Sequence, residues 1–516
     1  MSHRINITRY FQSKGLLFFL LLFPLFVQCE KNSDTPLPEK EKITSDLTGI
    51  DVKEGMTLVG IVTDSETGSP WEGVVVSDGY TSAITDANGI YQMKKSSDAR
   101  HVFCSLPADC EVLIKNNLPD FYAPIYAHYD IFRHDFKLKK MPGGAEKFFT
   151  LICVADPQVK TGADYTRCEK ETMPDIKAEK IKHGTCYGIT LGDIVFDTPD
   201  MMFSMKNLFP NSGVKFFHVI GNHDHYQETT KDLDAIKNYE TCFGPTNYSF
   251  NRGNAHIIAM DNVIYTGKQT YSGGFTEDQI KWLKSDLQYV PKDKLVIVCV
   301  HIPIRNQSSI SRCNDLYAAI SPYNEAHIMS GHTHYNQNML IESNGVYEHV
   351  HGAACGAWWT STINSDGTPN GYGVYKIKDN KIEDWYYKPT KYNSDFQIRM
   401  YPLYSFKDNS GYIIANVWNA DESWKVELFE DGIKTGDMQR YTDYEKCAYQ
   451  LYKSLGKAEP SKPDEATGWF RRPDHLYRLP SRSNTSYVEI KATDRFGNVY
   501  TQNHFTTSVE EVRNYQ

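Results

Sequence analysis

No two of the 11 cysteines in this 516-residue chain form a C-x-x-C pair. That excludes a zinc ribbon or a dithiol redox motif as the source of its function. No internal repeat of fixed period is present, which excludes a repeat architecture. Positive charge is in deficit, with 55 Lys and Arg against 64 Asp and Glu, and a formal net charge of −9. No Lys/Arg stripe compensates for it. An acidic body repels phosphate backbones at long range, so no nucleic-acid partner is expected and a nuclease is disfavoured. A small phosphate ester held by metal ions is not excluded. The apolar run 16–27 covers about a dozen residues, short for a membrane span and suited to a signal-peptide core.

Arg4, Arg9 and Lys14 precede that run, and Gln28-Cys29 closes it. Residues 1–29 therefore read as an export signal. Cys29, followed by a polar stretch, is similar to the lipid-acceptor site of a bacterial lipoprotein, with Gln28 where a small residue is usual. A lipid on Cys29 would anchor the protein to a membrane of the cell envelope, facing periplasm or exterior. In the alternative reading the signal is simply cleaved and Cys29 is incidental. Loss of the signal takes the formal net charge from −9 to −12. Residues 30–50 are polar, with Pro36 and Pro38, and read as a flexible stalk. Of the remaining cysteines, Cys153 and Cys299 sit in apolar runs as expected buried thiols. Cys104/Cys110 and Cys168/Cys186 stay open as disulfide candidates in an oxidising compartment.

Residues 51–141 show short β-branched runs punctuated by turns, the pattern of a small all-β sandwich. The layout Gly60…Gly73-Val-Val-Val-Ser-Asp78…Thr85-Asp86…Gly89…Tyr91 resembles the prealbumin-like type. Between 145 and 380, apolar strands alternate with helical stretches such as 276–289, whose Ile280, Leu283 and Leu287 share a face. Such alternation predicts an α/β core. From 398 to 516 in-and-out alternation returns, predicting a second all-β sandwich.

Within the core, five apolar runs each end in a polar cluster. The clusters are Asp156-Pro-Gln158, Gly192-Asp193, Gly221-Asn222-His223-Asp224, His301 and Gly331-His332-Thr333-His334. Ligands bind beyond the carboxyl ends of strands in open α/β sheets. Two Asp, an Asn, a Gln and several His converging there form a ligand set for a pair of divalent ions. Asp193 is the natural bridge between them. The absence of thiolate suits Mn, Fe or Zn.

The run D-x-Q, GD, GNHD, H, GHTH is similar to that of the calcineurin-like metallophosphoesterase superfamily, and the β–core–β layout resembles its bacterial three-part members. The resemblance implies a β-sandwich core flanked by helices. It also implies hydrolysis of a phosphomonoester or phosphodiester outside the cytoplasm, by in-line attack of a metal-bridging hydroxide. Carried over residue by residue, Asp156 and His334 would hold the first ion, with Gln158 in place of the usual histidine. Asp193 would bridge, and Asn222, His301 and His332 would hold the second ion. His223, oriented by neighbouring Asp224, would act as general acid or transition-state stabiliser. Expected substrates are small phosphorylated molecules, phospholipids or glycan phosphates.

Other residues have plainer readings. His218, His256 and His327 are expected to be structural, and Asp197 a helix cap. His225 and His351 divide evenly between structure and substrate site. Trp358 and Trp359 read as core packing, and 469–472 as a solvated rim. A glycan-binding lipoprotein with an inactive core is the competing function, but it has no need for the His223–Asp224 pair. The tether is checked by fractionation: Cys29→Ser is expected to move the protein from membranes to the soluble fraction, and unchanged membrane retention rejects a lipid on Cys29.

Overall fold

The structure, a computed structural model, describes residues 45–267, 270–305, 310–341, 344–463, 465–467, 469–482 and 487–506. The expected signal, Cys29 and the stalk up to residue 44 lie outside the described residues. Among the described residues, no helix is long and apolar enough to cross a membrane.

The five apolar runs are strands, and they distribute between two sheets. One sheet has the order Lys215–Val219, Cys186–Leu191, Phe148–Val154, Gly371–Lys378, Lys381–Pro389, with the first three parallel and the last two antiparallel. The other runs Tyr248–Arg252, Ala255–Ala259, Leu295–Cys299, Glu325–Ser330, Val346–Val350, Gln337–Ile341, with four parallel strands at its centre. Parallel strands covered on both faces read as unbroken apolar runs, and Leu295–Cys299 is buried throughout.

Side-chain alternation sorts the layers. Leu151 and Cys153 point into the core shared by the two sheets. Ile152 and Val154 point outward, to Met173 and Ile176 of the helix Met173–His183 and to Met202 and Met205 of Pro199–Leu208. The second sheet is covered by Glu277–Leu287 and Cys313–Ile320, through Ile280, Leu283, Leu316 and Ile320. The core is thus a β-sandwich between helical layers. Thr276 accepts a hydrogen bond from the Gln279 amide and starts the first of these helices as a capping box.

All-β sandwiches flank this core. The first has sheets built on Leu58–Asp64 and on Val75–Ser77 with His101–Ser105. It docks through Trp282, whose Nε1 donates to Ser77 Oγ at 3.0 Å and whose ring meets Phe103 edge-on at 6.3 Å. Fully buried Arg252 also crosses this boundary, donating to the Cys110 carbonyl at 2.8 Å. The second sandwich pairs a sheet built on Tyr412–Asn416 and Leu476–Pro480 with one built on Lys425–Glu430 and Val488–Thr493.

One element departs from the expected all-β pattern: the helix Lys446–Ser454 is inserted into the second sandwich. Its Cys447, Ala448, Leu451 and Tyr452 form one buried face, and the Glu445 carboxylate caps it by accepting from the Ala448 amide at 2.7 Å. The disulfide candidates Cys104, Cys110, Cys168 and Cys186 are all free thiols. His218, His256 and His327 bond to Thr190, to Asn251 and Asp286, and to His349 and Glu325. These are structural partners, as expected.

Candidate metal centre

Each polar cluster follows its strand directly, so the two sheets deliver their ligands to one edge. Asp193 is nearly fully buried and divides its two oxygens. Oδ1 lies 3.2 Å from His301 Nε2 and accepts the His223 backbone N–H at 2.8 Å. Oδ2 accepts from Gln158 Nε2 at 2.8 Å. His301 Nε2 is also 3.0 Å from Asn222 Oδ1 and 3.1 Å from His332 Nδ1. Asp193, His301 and His332 form a candidate metal group whose ligand atoms all lie within 4.8 Å of one another. On the neighbouring loop Asp156 Oδ1 is 3.4 Å from His334 Nε2.

These separations test the fit of a divalent ion. Donors about 2.0–2.2 Å from one ion stand roughly 3.0–3.5 Å from each other. The three distances around His301 Nε2, and that between Asp156 and His334, fall in that range. His301 has its Nδ1 engaged with the Leu191 carbonyl at 2.8 Å, so Nε2 is the nitrogen turned to the cluster. One Nε2 proton cannot serve three neighbours at once. Among the described residues, Asp156 Oδ1 and Gln158 Oε1 are buried without a hydrogen-bond partner, a costly state for polar atoms. The residues present fit a metal centre.

Backbone strain points the same way. Asp156, Gln158, Asp193, His332 and His334 all have φ between 42° and 69°, the left-handed region that L-residues avoid. Such conformations cost on the order of 1–3 kcal/mol each and persist where the surroundings over-determine them. The surroundings here include the His332 amide, which donates to Asp156 Oδ2 at 2.8 Å. Asn262 adds another restraint by accepting from the His301 and Ile302 amides at 3.1 and 2.9 Å. Gly192 and Gly221 are required by space: a Cβ on Gly192 would meet the His301 ring, and one on Gly221 would strike Asp193.

The structure corrects the partner of His223. Asp224 was expected beside its ring, but the two residues sit in a single 3₁₀ turn, Asn222–Asp224, where successive side chains diverge by about 120°. Asp224 instead accepts from the backbone amides of Ile194, Val195 and Gly221 at 3.1, 3.0 and 2.9 Å. It staples two ligand loops together. Its burial, with the charge of Asp193 nearby, raises its carboxyl above the usual range. The carboxylate on His223 is Asp197, with Oδ1 2.7 Å from Nδ1. Asp197 lies close to Gln227 as well and is itself left-handed at φ 55°. Phe196 stacks on His223 at 4.2 Å. Sequence reasoning missed Asp197 as an active partner; its position four residues after Asp193 was the available signal.

Charge within the cluster is arranged around Asp193. Burial would raise its carboxyl, but His301 and His223 hold it far below the usual range. Burial would lower His301, yet Asp193 and Asp156 push it up to about 9. Burial and the charge of His301 push His332 down to about 3. His223 is raised as well: burial opposes it, while Asp193 and Asp197 favour the charged ring.

The remaining candidates resolve individually. His351 bonds Ser330 O and Tyr375 Oη and is structural. His225 is buried, with Nδ1 on Gly221 O and its ring stacked on Tyr265. Trp358 and Trp359 do more than pack the core. Trp358 stacks on His334 at 4.8 Å, Trp359 Nε1 donates to Pro157 O at 2.8 Å, and both line a cavity of about 570 Å³. Gln158 and His223 border the same cavity. Trp469, expected on a solvated rim, lines it too.

Family profiles match the chain in three consecutive blocks. "N terminal of Calcineurin-like phosphoesterase" covers residues 56–141, "Calcineurin-like phosphoesterase" covers 178–336, and "C terminal of Calcineurin-like phosphoesterase" covers 348–500. No curated protein matches the chain. Solved structures similar to part of it include GAP50 of Plasmodium, with 17% identity, 48% of this chain, 90% of that one and a TM-score of 0.30. The sulfate thiohydrolase SoxB of Thermus thermophilus has 11% identity over 47% of this chain and 56% of that one, with a TM-score of 0.29. The NAD nucleotidase of Haemophilus influenzae has 10% identity over 47% and 49%, with a TM-score of 0.27.

The charges and contacts generate three predictions. Asp197→Asn is expected to keep metal content while turnover falls about a hundred-fold. Asp224→Asn, placing an amide N–H against backbone donors, is expected to lower stability by roughly 1–3 kcal/mol and reduce metal content; elemental analysis beside thermal melts separates the two. Metal must displace the His301 proton. In the metal-free protein that proton contributes stability fully present below its ordinary value of 6.5 and lost as pH rises through about 9. Metal affinity is therefore expected to climb across that window, with release of about one proton read by calorimetry in buffers of different ionisation enthalpy. A flat profile would rule out a protonated His301.

Proposed function

We propose that this chain, which belongs to the calcineurin-like phosphoesterase family, hydrolyses a small phosphomonoester or phosphodiester with two divalent ions of the Mn, Fe or Zn type. The observation that carries this reading is the divided carboxylate of Asp193. One oxygen faces His301, with His332 and Asn222 around it, and the other meets Gln158, on the loop that carries Asp156. A carboxylate so placed suits a bridge between two ions. Asp156 and His334 then serve the first ion, with Gln158 offering its free Oε1; Asn222, His301 and His332 serve the second. When bound, the ions lower the pKa of a water toward neutrality and offset charge on the phosphoryl oxygens.

In hydrolysis the P–O bond to the alcohol breaks, a P–O bond to the water oxygen forms, and the departing oxygen takes a proton. His223 is suited to supply it. Asp197 holds Nδ1 at 2.7 Å, so Nε2, 4.0 Å from Asp193 Oδ2, faces the reacting group. Cations on Asp193 would screen its charge, leaving Asp197 as the partner that keeps His223 protonated. Phe196 stacked on the ring fixes its plane. The export signal and Cys29 support a location in the cell envelope, tethered by lipid.

The test is turnover of p-nitrophenyl phosphate and bis-p-nitrophenyl phosphate by the manganese-loaded chain. Activity is expected on at least one, with about two ions per chain by elemental analysis. His223→Ala should cut kcat by about 10²–10⁴-fold with metal retained. Silence on both esters and on a panel of nucleotide, sugar and lipid-headgroup phosphates would sink the enzymatic reading and favour a binding protein.

A further inference from the structure

The cavity beside the metal centre is built by two domains. Gln158, Phe196 and His223 border it from the core, whereas Tyr452, Lys457 and Trp469 come from the second sandwich. The inserted helix ends in a glycine turn that sets this wall. Gly456 has φ 68° and donates to Lys453 O, while the Lys457 amide donates back to Tyr452 O at 3.0 Å. That pairing is the Schellman arrangement, and it lays Lys457 Nζ over the Trp469 ring at 3.8 Å. Trp469 in turn meets Trp358 at 4.6 Å, and Trp358 stacks on the candidate ligand His334. A continuous aromatic path thus runs from metal ligand to second domain.

Charge in the cavity is unusual for this acidic chain. Lys160 lies over Phe196 at 4.7 Å, and Phe196 in turn stacks on His223. Among the described residues neither Lys160 nor Lys457 has a carboxylate partner. Among the described residues of the lining Asp164 is the one carboxylate, and it is occupied as a helix cap by the amides of Lys160 and Thr161 at 3.1 and 2.8 Å. Metal ions would already neutralise the scissile phosphate. Two further free ammonium groups over aromatic faces therefore complement a different anionic group on the substrate. Trp358, Trp359 and Trp469 line the cavity, flat rings stack on indole faces, and a cavity of about 570 Å³ is of small-ligand size.

We propose that the second sandwich selects the substrate, and that the alcohol portion released is a flat-faced ring carrying a second anionic group. This rests on the phosphoesterase reading above. The binding test uses phosphonates, which cannot be hydrolysed at the P–C bond: methylphosphonate, phenylphosphonate and 4-carboxyphenylphosphonate, titrated by calorimetry into the manganese-loaded full chain. Wild type is expected to prefer phenyl- over methylphosphonate by about ten-fold, and the carboxylated ring over the plain one by about a further five-fold at low salt. Trp469→Ala should collapse the first preference to less than about three-fold. Lys457→Met should abolish the second; it lies on a partly exposed turn and carries the test if Trp469→Ala fails to fold. Equal wild-type affinities, or preferences surviving in the variants, overturn the inference. Failure of manganese to bind wild type overturns the phosphoesterase reading, and this inference with it.

Discussion

A single buried negative charge organises this molecule. Asp193 is sealed from solvent at the end of a central strand, and an unpaired carboxylate there would be prohibitively costly. The His223 amide and Gln158 donate hydrogen bonds to it, and His301 offers a site where positive charge can sit. His301 rises in pKa because of it, His332 falls through burial and the neighbouring His301, and Gln158 turns its amide nitrogen toward it. The donor spacing around this carboxylate suits cations.

The fold's task is to bring loops from two sheets to that charge and hold them there. Parallel strands place their carboxyl ends on one edge, but strand ends alone do not fix side chains to within a few tenths of an ångström. That precision comes from stapling contacts to backbone amides. Asp224 binds three, Asn262 two, and Asp156 one. These contacts hold five candidate ligands in left-handed backbone, so rigidity is concentrated where coordination geometry demands it.

Around this rigid floor the cavity is composite. The core contributes the candidate ligands, His223 and part of the aromatic lining, while the second sandwich contributes Tyr452, Lys457 and Trp469. The cavity lining is thereby drawn from different segments of the chain.

The sequence was most legible where a local pattern has one physical reading. Unbroken apolar runs closed by Gly-Asp or Gly-Asn-His-Asp can only be buried strands that stop at a polar edge, and this located the α/β core and every candidate ligand. Alternating residues likewise marked both flanking sandwiches. Side-chain direction was not legible. His223 and Asp224 are adjacent in the chain, yet a 3₁₀ turn parts them and Asp197 arrives from another loop. Nor was the role of Trp358, Trp469 and Lys457, because solvent rim and pocket wall have the same composition. Residue type and periodicity are local properties and were set by the chain itself. Which carboxylate faces which imidazole, and which aromatic faces which cavity, are contacts across long sequence separations that only packing of three domains decided.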